Sequence, residues 1–445
     1  MNLRLLTTRV RVLWESLSTS YWFIPLLMMS TSVALCYACL SVIERAFLPD
    51  VLRPLIPLVT QESVQQLLST VAGAMITVTS IAFSMTLVSL TLASNQFGPR
   101  LIRNFMQDRN TQMVLGILVS TFLFCLISLH HLSSINSNQD AVSMLAGATV
   151  FLALIDCVTI IYFIHHVSRS IQADQVIANC VQHFESNINS FLPVPESNAS
   201  VRAIAEQWAA PQGDFQVSVK AVQNGYVKTI NYASFLNQNA TEVAGCELHV
   251  RSGDHVLCGE ALFTVHCRQP ASEADFTTLR QAVVLGANRT PIQDPEFAIS
   301  QLVEIALRAL SPGINDPHTA ITCVDKLTAI CVQVASREFP AENLIHTSSE
   351  VWLKRRTFTF AGVVDKAYSQ VRQSANDQIA VLIHLLKSLA KLQQCCAATE
   401  QKTISTHALS IEQQIATLTI SSSDKKSIEE AMLPFRAYVN VTGLK

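Results

Sequence analysis

The stretch Leu67–Ala93, LLSTVAGAMITVTSIAFSMTLVSLTLA, runs its whole length without a charged residue. A bilayer's hydrocarbon core is about 30 Å thick and takes roughly 20 apolar residues in helical form. The stretch is therefore read as a membrane span. Three others share its character, at about Tyr21–Val42, Met113–Leu132 and Ala141–Val167. Arg4, Arg9 and Arg11 ahead of the first would suit a signal peptide, but its apolar run is too long and further spans follow. The spans account for the composition: 49% of the 445 residues are hydrophobic and only 14% charged, against about 25% in soluble domains. Residues 1–169 contain no lysine.

Within that stretch one face stands out. Alternating steps of three and four give Thr70, Gly73, Thr77, Ser80, Ser84, Leu87, Thr91 and Ser94, all but one small or hydroxylated. Steps averaging 3.5 residues keep these positions on one side of a helix that packs or supercoils left-handedly. From Thr70 to Thr91 the rise is about 32 Å, the depth of the hydrocarbon. Small faces allow close helix packing; the same face repeated about an axis would line a pore of little charge selectivity. Either way the face is expected to turn from lipid.

Asp156 falls in the middle of the fourth span. A charge at the bilayer centre costs about 2.5–3.5 kcal/mol on insertion scales, and such groups face the bundle interior. No intramembrane Lys or Arg is available as partner, so a protonated acid or one bonded to hydroxyls is expected. It is either an interhelical hydrogen bond or a proton or cation site. His130, His131, His165 and His166 fall at span ends and read as interfacial.

Basic residues in short loops orient the spans. Arg4, Arg9 and Arg11, then Arg100, Arg103 and Arg109, then Arg169 fall on one side. Arg45 and Arg53 on the other are offset by Glu44, Asp50 and Glu62. Both termini are thus expected in the cytoplasm. Net charge is −2 without a basic run, so no nucleic-acid partner is expected.

Residues 1–169 form the transmembrane domain and 170–212 a helical linker. Residues 213–270 read as a β-rich module, with strands at Phe215–Ala221, Gly225–Ile230, Glu247–Arg251 and Ala261–Val265 and turns at Ser252-Gly253-Asp254 and Cys258-Gly259-Glu260. The phrase LHVRSGDHVLCGEALFTVH resembles the barrel-sandwich hybrid of lipoyl and biotinyl domains and membrane-fusion proteins. The prosthetic lysine of that resemblance is absent, so no cofactor is expected. Cys246, His249, His255, Cys258, His266 and Cys267 lie in the same stretch, yet their spacing fits no zinc knuckle, and no metal is expected. The twelve cysteines show no framework spacing and are expected reduced.

Residues 271–445 read as a helical domain. Gln293-Asp294-Pro295-Glu296 and Asn315-Asp316-Pro317-His318 look like two helix starts, with Asp capping and Pro at the first position. Arg289, Asp294, Arg308, Asn315 and Asp316, with Glu304 and Asp325, could converge instead into a polar pocket. No nucleophile, phosphate loop or metal signature supports catalysis there. Apolar spacing from Val363 to Leu392 and shorter helices near 403–419 and 424–438 complete the region.

The phrases SLTLASNQFGPRLIRNFMQDRNTQ, FIHHVSRSIQ and ALRALSPGINDPHTAITCVDKL together resemble the bacterial DUF2254 family of membrane proteins. The resemblance covers nearly the whole chain. It implies a multi-pass inner-membrane protein but no catalytic residues. The expected fold class is mainly α: four transmembrane helices followed by a cytoplasmic α+β region. The preferred function is a homo-oligomeric channel or transport-related protein with a cytoplasmic assembly or gating domain. A structural or signalling scaffold is the alternative, and an envelope or lipid enzyme comes third.

Overall fold

The computed structural model describes residues 22–43, 59–98, 101, 105–106, 108–132, 139–192, 201–204 and 213–442. Arg4, Arg9, Arg11, Arg45, Arg53, Arg100 and Arg103, on which the orientation argument draws, lie outside them. The chain divides into two compact units, Arg9–Gln175 and a larger one running from Val176 to Lys445.

In the first unit four helices follow one another: α1 (Phe23–Ile43), α2 (Gln61–Phe97), α3 (Arg109–His131) and α4 (Gln139–Ser170). α2, α3 and α4 are each long and apolar enough to cross a membrane; of α1, only Phe23–Ala38 is described with side chains, an apolar stretch shorter than a full span. Helix boundaries follow local chemistry. Thr60 caps α2 by accepting from the Ser63 amide, and Gly98, at φ +105°, ends it. Asp108 caps α3 through the Asn110 amide. α3 packs against the other three helices and is the centre of the unit. Its Gly116 lets α1 approach, because a Cβ there would lie 2.5 Å from the sulfur of Met28.

Two apolar clusters fill the bundle. One joins Cys36, Leu68, Cys125 and Leu145; the other joins Met75, Leu115, Leu118 and Phe163.

The second unit opens with the rest of α5 (Ala173–Phe191) and mixes strands with helices: β1 (Val201–Ile204), β2 (Phe215–Lys220), β3 (Gly225–Ile230), α6 (Tyr232–Leu236), β4 (Val243–Leu248), β5 (His255–Val256), β6 (Ala261–Cys267), α7 (Thr277–Arg280) and β7 (Val283–Gly286). Then come α8 (Glu296–Ala309), α9 (Pro317–Ala335), β8 (Asn343–His346), β9 (Trp352–Lys354), α10 (Phe360–Ala375), α11 (Ile379–Cys395), α12 (Ala398–Ala416) and α13 (Ser422–Thr442). One sheet has the order β1-β8-β9-β4-β6-β2 and the other β5-β3-β7. Phe235, Phe263, Val227 and Leu353 are buried in the core of this β-rich part.

The β-rich part is therefore not local to residues 213–270. β7, β8 and β9 come from the region expected to be helical, and β9 pairs in parallel with β4. Gly245 faces Trp352 in that register, and a Cβ on it would fall within the indole. The strand expected at Glu247–Arg251 instead runs Val243–Leu248, because β4 must match both β6 and β9. The helices bury a separate core around Leu302, Leu327, Leu385 and Tyr368, whose hydroxyl meets Thr328 Oγ1 at 2.8 Å.

Candidate functional site

Among the described residues of the first unit, none covers the hydroxylated face of α2. Thr70, Gly73, Thr77, Ser80, Ser84 and Thr91 are exposed and Ser94 half-buried. The face that packs into the bundle carries Val64, Leu68, Ala72, Met75, Thr79 and Ala82. At 3.6 residues per turn, the two sets lie about 150° apart around the helix. Thr77, Ser80 and Thr91 each donate to the carbonyl four residues back, at 2.8 Å. Packing within the chain thus does not explain the stripe.

Asp156 is fully buried in the bundle, and neither carboxylate oxygen has a hydrogen-bond partner. Thr121 of α3 presents a hydroxyl toward it without reaching hydrogen-bonding geometry. Ser128 and Ser143 are also buried with unpaired hydroxyls.

Asp108 does more than cap α3. It accepts from Thr111 Oγ1 at 2.7 Å and from His166 Nε2 of α4 at 2.5 Å. Tyr162 stacks on His166, with ring centroids 5.8 Å apart. Two of the three phrases that carry the family resemblance are joined here. Beside the pair lies an apolar recess of about 150 Å³, lined by Phe83, Leu87, Leu90, Phe105, Met106 and Val167 among others.

In the second unit the polar residues form two groups rather than one pocket. Arg289 pairs with the buried Asp294, and its other end lies 3.7 Å from Glu296. Arg251 reaches Glu296 at 2.9 Å and Arg356 reaches Asp254 at 3.0 Å. Burial pushes the Asp294 carboxyl above its ordinary value, against the Arg289 hydrogen bond and charge that pull it down. Gln293 bonds both backbone groups of Ile230, accepting at 2.8 Å and donating at 3.1 Å. The Gln293–Glu296 phrase is thus the joint that fixes the β-rich part to α8.

Asn315 and Asp316 lie beyond the far end of α8, about 20 Å along its axis. Asp316 caps α9 through the Thr319 amide and hydroxyl, which hold its carboxyl below the usual range. Asn315, at φ +49°, accepts from Gln378. Arg308 is exposed in the last turn of α8. Arg289 and Asp294 come together, and Arg308, Asn315 and Asp316 stay apart from them. Gln293 and Glu296 were legible only as parts of a helix start, and Arg251 and Arg356 were not singled out by the sequence, because they are remote in the chain from the phrase they meet.

The cysteine and histidine cluster disperses into packing roles. Cys246 and Cys267 are buried, His249 bonds Thr264, His255 packs on Tyr226 and His266 on Trp352. Among the described residues no three potential metal ligands gather, and Cys246, Cys258 and Cys267 are free thiols. An open basin of about 900 Å³ beside Glu242, Gln269 and Asp275 is the larger of the two cavities noted here.

Apolar helices of spanning length, tied to a large α+β unit, define a membrane protein. The chain belongs to the family described as Predicted membrane protein (DUF2254), which matches residues 18–391. Two similar proteins are uncharacterized protein Rv1290c of Mycobacterium tuberculosis and uncharacterized protein Mb1321c of Mycobacterium bovis. Each is 30% identical over 370 residues, covering 81% of this chain and 68% of the relative. No solved structure matches the chain.

Proposed function

We propose that this chain is the subunit of a homo-oligomeric, multi-pass protein of the bacterial inner membrane, of the channel or transport class. In this reading α1–α4 are four spans, both termini are cytoplasmic, and the unit from Val176 onward serves assembly or gating. The observation that carries it is the α2 stripe, small, hydroxylated and uncovered among the described residues of its unit. Lipid gains nothing from such a face, whereas α4 offers lipid Leu154, Val158 and Ile161. Small residues let a second backbone come close, and Gly73 has nothing within 4 Å of its Cβ position. Copies meeting on this face, or ringed around it, would remove it from lipid.

A scaffold without conductance is the second reading. It is favoured by the hydroxyls of Thr77, Ser80 and Thr91, which are already donated to their own helix. Cysteine at Ser84 should cross-link copies in native membranes, while cysteine at Val158 should not. Purified protein in planar bilayers should pass current that Ser84→Phe abolishes. Cross-linking without current leaves the scaffold; neither result leaves no place for assembly on α2.

A further inference from the structure

The interior of the bundle carries a second observation, independent of α2 assembly. Asp156 sits between the two apolar clusters: on α3, Thr121 stands between Leu118 of one and Cys125 of the other. No Lys or Arg occurs in Phe23–Ile43, Ser63–Phe97, Asn110–Leu129 or Ala141–Ile164. Among the described residues, the ionisable neighbours are the thiols of Cys125 on α3 and, beyond it, Cys36 on α1. The buried face of α2 contributes Met75, Thr79 and Ala82, none of them ionisable.

An ionised carboxylate here would be dry, with no counter-charge among the described residues and only the Thr121 hydroxyl beside it. That combination costs several kcal/mol, about what protonation removes. A hard cation would need about six oxygens, and the facing groups offer two hydroxyls, of Thr79 and Thr121, and thiols. We infer that Asp156 is a proton-binding site: a carboxyl protonated at rest, through which the membrane unit takes up and releases a proton.

Toward the α3–α4 connection, Thr149, Ser143 and Ser128 are buried hydroxyls, the two serines unpaired. Toward the Asp108 end, Leu115, Leu118, Phe163 and Val167 are apolar and Gln112 is buried with an unpaired side-chain oxygen, while Leu68, Leu132 and Leu145 are apolar at the other end.

The full-length protein in phospholipid vesicles tests this with dicyclohexylcarbodiimide. The acid's proton passes to a carbodiimide nitrogen and its oxygen bonds the central carbon; rearrangement gives a stable N-acylurea with no atom lost. Peptide mass spectrometry should find one reagent on the Asp156 peptide and none in Asp156→Asn. Labelling should fall as pH is raised, because only the protonated acid reacts. Infrared difference spectra of wild type minus Asp156→Asn should show a protonated carboxyl band at neutral pH. A carboxylate band there overturns the assignment even if reagent access fails. Protection by sodium at constant pH overturns it in favour of a metal cation. Loss of Ser84 cross-linking with labelling intact would remove the oligomer and leave the proton site standing.

Discussion

At Gly253 the backbone is left-handed, φ +93°, and a Cβ would lie 2.6 Å from Asp294 Oδ2 and 3.0 Å from the Arg289 guanidinium. Gly259, at φ +85°, has nothing within 4 Å. The two glycines therefore separate strain from crowding. Left-handed alanine costs about 1–3 kcal/mol in either place. Gly253→Ala should lose more than Gly259→Ala, because it also pushes on a buried ion pair. Denaturant midpoints of the two variants check this, and equal losses would mean that Arg289 and Asp294 yield freely. The Ser252-Gly253-Asp254 turn is legible in the sequence from its residue types. Its partner is not, since Arg289 lies 36 positions on and spacing says nothing of remote approach.

Helices and strands differ in how far they can be read. The long apolar runs around α2, α3 and α4 are visible because a membrane demands length and lack of charge together. β8 and β9, of four and three residues, are too short for alternation to emerge, and β9 finds β4 across more than a hundred positions. The α2 stripe was legible as a face, but only the packed bundle reveals which side it takes. The contact of α3 with α4 adds a test at this scale. Asp108→Ala removes the cap, about 0.5–2 kcal/mol, and the His166 bond as well. His166→Ala removes the bond and the stacking on Tyr162 but leaves the cap. Thermal unfolding in detergent should show the double variant losing less than the sum, by a coupling of about 0.5–3 kcal/mol. Strict additivity would mean that the 2.5 Å contact does not hold α3 to α4.

For the molecule as a whole, the unit from Val176 onward should be the part whose stability depends on mild acid. Burial pushes His183, His266 and His407 below the ordinary imidazole value of 6.5. His266 has no hydrogen-bond partner for either ring nitrogen, so protonation leaves a buried cation against Trp352. For a base whose value is lower folded than unfolded, the unfolded chain takes up the proton first as pH falls. The stabilisation is complete above about pH 6.5 and declines below it toward the lower folded values. Asp294, raised by burial, works in the opposite direction from lower in the range. Three imidazoles against one carboxyl leave a net loss between pH 6.5 and 5. Circular dichroism melts of the full chain in detergent should show the unfolding temperature dropping across that interval. His266→Phe, which fills the same space without a charge, should flatten part of the drop; an unchanged slope would place the pH dependence on His183 and His407.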